Sequence, residues 1–153
     1  MKWIGLLSLT CLLAGCGDGG IYHDLGGANM SNRRNWTARG DLKDPSFAID
    51  SNMNTAAISG ADYTNTSLVI DLKQPCVFHT VIIEHGQSEM GFPRTVGVAT
   101  SMDGVKFTER YQGPGTRKVT ILLLPQPVLA RYVRLQALRP GREPWSLAEV
   151  HLQ

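Results

Sequence analysis

The residues of this chain best equipped for chemistry gather in three stretches. The first, 85–94, holds His85, Gln87, Glu89, Phe92 and Arg94 between two apolar runs. Tyr63 and Asn65 form a second, Arg142 and Trp145 a third. Each stretch joins an aromatic ring to side chains that donate or accept hydrogen bonds. A ring laid against the apolar face of a small molecule, with a few fixed polar groups beside it, is equipment for noncovalent recognition. A plainer reading also exists: polar loops over a core, with Trp145 capping it. Bond-breaking chemistry finds less to work with. The chain has no Gly-x-Ser-x-Gly elbow, no His-Glu-x-x-His pair and no glycine loop to cradle phosphate. His79 and His85 stand a strand apart and His151 is near the C-terminus, so the histidines lack a metal-binding spacing. We therefore expect a binding protein and not an enzyme.

The elements that must hold these residues are strands. With 153 residues, 42% hydrophobic and 18% charged, one ordinary domain fits and a disordered chain does not. The net charge of +2, from 15 basic and 13 acidic residues, makes no case for a nucleic-acid partner. Sixteen glycines and eight prolines favour a turn-rich fold over a helical bundle. Leu68, Ile70 and Leu72 fall on one strand face with Asp71 on the other. Stretch 77–83 is apolar on both faces, as a central strand would be. Strand 96–100 runs into the Asp103-Gly104 turn, and 106–111 returns from it. Stretches 118–124, 132–137 and 147–152 complete the set, with Pro125, Pro127, Pro140 and Pro144 between them. Short strands at this spacing predict an all-β sandwich or barrel. Its core would hold Leu68, Ile70, Val81, Ile83, Val96, Val98, Ile121, Val133 and Leu135. Cys76 would be a small buried hydrophobe.

The N-terminus reads as an address. One lysine, an apolar run over 4–14 and small residues before a cut site describe a secretory signal, too short for a permanent span. Leu13-Ala14-Gly15-Cys16 resembles the lipobox of bacterial lipoproteins. The resemblance implies removal of residues 1–15 and acylation of Cys16, with two or three acyl chains holding the protein to a membrane. Gly17 after the cysteine implies sorting to the outer membrane of a bacterial cell envelope. Cys11 leaves with the signal, so Cys76 has no partner for an intramolecular disulfide. The glycine-rich segment 16–32 reads as a lipidated tether, and 33–153 as the domain.

Five further pieces, in order, resemble the discoidin, or coagulation-factor type C, family. They are Ala48-Ile49-Asp50, Leu68-Val69-Ile70-Asp71-Leu72, Ser101-Met102-Asp103-Gly104 behind Phe92-Pro93, Ala130-Arg131-Tyr132-Val133-Arg134-Leu135, and Trp145 through Glu149-Val150. The resemblance covers roughly 36–152 and implies an antiparallel β-sandwich, the galactose-binding-like jelly roll. It implies ligand binding by loops at one end of the sandwich, and for secreted bacterial members most often binding of carbohydrate. An envelope protein as partner, with the domain as accessory subunit, is the alternative. The resemblance also implies a structural calcium ion held by the Phe47 carbonyl, Asp50, Asn52, Thr55 and Glu149. A loop of the form Asp-x-Asn-x-x-Thr can supply several of the oxygens that calcium requires. The same residues fit an Asx-type turn closed by Asp50 and Thr55, with Glu149 paired to an arginine. Ser51, Ala57 and Lys73 stand where the family often has glycine, tryptophan and glycine.

Overall fold

The computed structural model describes residues 30–153. The signal at 1–15, Cys16 and most of the tether lie outside the described residues. Eight strands follow in chain order: β1 (Thr37–Gly40), β2 (Ala57–Ile58), β3 (Ser67–Glu84), β4 (Thr95–Ser101), β5 (Thr108–Pro114), β6 (Val119–Arg139), β7 (Ser146–Leu147) and β8 (Glu149–Leu152). Two short 3-10 turns, Arg33–Asn35 and Pro45–Ile49, are the only helical segments among the described residues. No helix there is long and apolar enough to cross a membrane.

All pairing is antiparallel. The main sheet runs β1-β3-β6-β4-β5, with β8 added along β3, while β2 and β7 form a separate ribbon. Two long bent strands make this one sheet into two layers. The first part of β3 pairs with β1 and with the end of β6, and its second part pairs with β8 and the beginning of β6. Between the two parts the register slips at Asp71/Cys76, where Lys73 takes a left-handed φ of 69°, and again at Phe78/Thr80. An irregularity of this kind bends a strand and changes which residues face inward. Accordingly Leu68, Ile70, Leu72, Cys76 and Phe78 are buried before the second slip, and Val81 and Ile83 after it.

Half of the prolines lie within strands: Pro75, Pro114, Pro125 and Pro127. β6 runs unbroken through Pro125 and Pro127, where two separate strands were expected. β5 likewise continues through Gly113 to Pro114, which pairs with Thr95. One expected core residue is misplaced: Ile121 is 62% exposed, and Leu122 and Leu124 fill the interior in its stead. The run Thr120-Ile121-Leu122-Leu123-Leu124 is apolar on both parities, so alternation does not choose a face there. The other eight expected core residues are all fully buried, and Cys76 is a buried free thiol. The tether ends earlier than residue 32. Met30 packs against the core, and the Ser31 hydroxyl bonds the Leu72 carbonyl and accepts from the Trp36 indole.

Candidate functional site

Loops 85–94 and 140–145 meet at one end of the sandwich and form an open cavity of about 420 Å³. Met90, Phe92, Arg94, Gly141 and Arg142 line it. Backbone bonds fix the two loops to each other: the Arg94 N–H donates to the Arg139 carbonyl at 2.8 Å, and the Ser146 N–H to the Gly91 carbonyl at 2.8 Å. Tyr63 braces them from below. Its phenol oxygen accepts from the Gly141 N–H and donates to the Phe92 carbonyl. Burial pushes the Tyr63 phenol up, against the smaller lowering effect of the Gly141 bond, so the ring keeps its proton.

Three of the nine expected ligand residues line the cavity: Phe92, Arg94 and Arg142. The others are elsewhere. Tyr63, His85 and Trp145 are at most 1% exposed, so none can lay a ring on an external ligand; all three are corrections to the sequence reading. Long-range bonds hold all three residues under the loops: the Tyr63 hydroxyl to Gly141, the His85 ring to Ser146, and the Trp145 backbone to Ser59. Asn65, with a left-handed φ of 62°, turns the chain into β3, and its backbone N–H bonds Ala137. Gln87 is exposed at the loop tip and does not line the cavity. Glu89 is held by Arg117 and Lys118, which keep its carboxyl below the usual range. Met90 and Gly141 were missed. Gly141 follows Pro140 as an ordinary turn signal, and nothing in the sequence tells which glycine lines a cavity.

His85 is a strut inside the loop base. Its Nδ1–H donates to the Ser146 carbonyl at 2.7 Å, and Nε2 accepts from the Thr120 hydroxyl at 2.9 Å. Burial lowers its pKa below the ordinary 6.5, more than the Ser146 bond raises it. The unfolded chain therefore takes up a proton at a pH where the folded one still refuses it. The stability that this imidazole contributes is complete above about pH 6.5 and drains away as pH falls toward the lower folded value. We expect the melting temperature to drop on acidification below that pH, and His85→Gln to flatten this part of the profile. An unchanged slope in the variant would count against the strut.

The expected calcium ligands come together only in part. Asp50 accepts the Asn52 N–H at 2.9 Å and the Thr55 hydroxyl at 2.7 Å. The Asn52 carbonyl also accepts from Thr55, through both its N–H and its hydroxyl. Phe47 sits within the second 3-10 turn, its N–H bonded to the Asp44 carbonyl. Glu149 is 2% exposed, and both of its oxygens are engaged: Oε1 by the Asn52 N–H at 3.0 Å, Oε2 by the Arg33 guanidinium. One backbone N–H and one fixed guanidinium thus occupy the two oxygens of the carboxylate, a setting that does not fit a divalent ion at Glu149. These contacts are those of the turn-and-arginine alternative.

A second hollow, of about 480 Å³, lies on the outer face of β1 and β3 beside the 101–105 turn. Its carboxylates are already occupied. Burial pushes Asp71 up, but Arg131 and Lys73 outweigh that and hold it at about 2. Asp103, also at about 2, accepts the Val105 and Lys106 N–H groups and the Ser101 hydroxyl. The loop-end cavity differs in its charge: two arginines line it with no carboxylate, whereas Arg39 in the second hollow lies beside Asp71 and Asp103. Among the described residues neither Arg94 nor Arg142 has a carboxylate within ion-pair distance, and none lines the cavity.

Comparison with known proteins places this fold among relatives. The family model described as F5/8 type C domain matches residues 28–150. No curated protein sequence matches the chain. Among solved structures, a family 32 carbohydrate-binding module from C. perfringens NanJ, in complex with galactose, is similar with a TM-score of 0.69 at 20% identity, over 78% of this chain and 94% of that one. The Clostridium perfringens module CpGH89CBM32-5, in complex with GalNAc-beta-1,3-galactose, gives 0.70 at 19%, over 78% and 96%. A chitosan-binding module from a Paenibacillus sp. IK-5 chitosanase/glucanase gives 0.68 at 18%, over 82% and 97%.

Proposed function

The chain belongs to the F5/8 type C domain family, and from that premise we propose that it is a non-catalytic, lipid-anchored carbohydrate-binding module that takes an acidic sugar into the loop-end cavity. The observation that carries the reading is the pair of guanidinium groups, Arg94 and Arg142, lining a small cavity without a carboxylate. Arginine forks match carboxylate and sulfate oxygens in geometry and charge. Phe92 and Met90 supply the apolar surface on which a sugar ring can rest. The sugars named for the similar solved modules, galactose, GalNAc-beta-1,3-galactose and chitosan, support carbohydrate as the ligand, and the acidic preference rests on the two arginines. The lipobox at Cys16 supports an anchor in the bacterial envelope, at the outer membrane by the residue that follows it.

Affinity electrophoresis of the full chain through gels containing polygalacturonate or neutral galactan tests this. Polygalacturonate is expected to retard the protein more strongly, and added sodium chloride to weaken the effect by screening. Arg94→Ala and Arg142→Ala should each weaken binding by about tenfold or more, since a hydrogen bond to a charged group is worth about 1.5–3 kcal/mol. Both side chains are exposed, so melting should be unchanged. Retention by galactan alone would overturn the acidic preference. Retention by neither polymer, with a fixed envelope protein co-purifying, would replace the sugar reading with the accessory-subunit one.

A further inference from the structure

Glu149 sits on β8 directly across from Glu84 on β3, two carboxylates on neighbouring strands. A buried carboxylate in such a place is costly unless a cation answers it. The cation comes from the far end of the chain. Arg33, in the first 3-10 turn, reaches its guanidinium to the Glu149 carboxylate, to the Val150 carbonyl at 3.0 Å and to the Ser51 hydroxyl at 3.2 Å. It also lies within the field of Asp50 and Glu84. Three kinds of oxygen, from loop 50–55 and from β8, thus converge on one positive group. The loop itself is joined to the strand by the Asn52 N–H on the other Glu149 oxygen.

We propose that Arg33 is the resident cation of this junction, standing where a divalent ion would otherwise bridge loop 50–55 to β8, so that closure of the loop is independent of calcium. The physical consequence is specific. A guanidinium cannot be stripped by a chelator, and it repels a second cation from the same carboxylate. Remove it, and Glu149, Asp50 and the Ser51 and Thr55 hydroxyls are left as an oxygen set of the type calcium takes.

The test is thermal melting of the full chain in excess EDTA and in millimolar calcium chloride, with elemental analysis of the purified protein. The wild type is expected to melt at the same temperature in both and to carry no stoichiometric calcium. Arg33→Met should melt lower by roughly 10 °C in EDTA, as expected for an unpaired buried carboxylate, and should regain much of this in calcium. Arg33→Lys, which keeps the charge, should lie between the two and respond less to calcium. A wild type destabilised by EDTA, or found loaded with calcium, would overturn the proposal. So would an Arg33→Met protein that melts like wild type or gains nothing from calcium. Should Arg33→Met fail to fold, the wild-type measurements and Arg33→Lys decide.

Discussion

Replacing Trp145 with alanine is expected to lower the melting temperature sharply while leaving sugar binding in the folded fraction intact. The indole is fully buried, and the residue's backbone is tied to Ser59 in both directions: its N–H to the Ser59 hydroxyl at 2.8 Å, its carbonyl to the Ser59 N–H at 2.9 Å. Emptying a site of this size costs about 3–5 kcal/mol, through lost transfer energy and the cavity left behind. For a domain of this length that corresponds to roughly 10 °C. Trp145→Phe refines the test. Among the described residues the indole Nε1 has no hydrogen-bond partner, so phenylalanine removes volume and an unsatisfied donor together. It should therefore be milder than the change in volume alone implies. Melting curves and affinity electrophoresis read the two effects separately. Unchanged melting with lost binding in Trp145→Ala would return the ring to a ligand-facing role and undo its placement in the core.

Gly141→Ala should damage the cavity out of proportion to the one methyl added. A Cβ on Gly141 would stand 2.0 Å from the Phe92 carbonyl oxygen and 2.9 Å from the Tyr63 hydroxyl. The first partner is backbone, so a side-chain rotation cannot relieve the contact. Loop 140–145 or the Phe92-Pro93 segment must move, and both line the cavity. Overpacking of this kind costs about 1–3 kcal/mol. The Gly141 N–H bond to Tyr63 would be strained with it. Binding is expected to fall by about tenfold or more, and melting by a few degrees. Gly60→Ala is the control, since its nearest neighbour would be 3.9 Å away. If Gly141→Ala binds like wild type, the cavity is not where the ligand goes.

The fold was largely legible because alternation is a local signal. Leu68, Ile70, Val133 and Leu135 declare one face within a few residues, and the structure buries all four. The Asp103-Gly104 turn is equally local: Ser101 and Asp103 bond the next backbone N–H groups, and Gly104 takes a φ of 75°. Legibility failed at Ile121, where both faces of the strand are apolar and burial depends on the layer packed against it. It failed again in the site. Tyr63, Phe92 and Trp145 are each an aromatic residue within a polar stretch, yet only Phe92 lines the cavity. Their roles are set by partners 29 to 86 positions distant, as in the Tyr63 bond to the Phe92 carbonyl, the Gly141 bond to Tyr63 and the Trp145 bond to Ser59.

Composition, strand periodicity and turn chemistry were enough to determine that this chain makes antiparallel strands and presents polar loops between them. Those properties depend on neighbours one to four residues away. Which ring becomes core, which arginine stays free and which cation answers Glu149 were decided only when the layers closed. Arg33 and Glu149 are 116 residues apart, and no local pattern carries information over that separation. Packing selects such pairs because a buried charge must find its partner wherever the fold brings one.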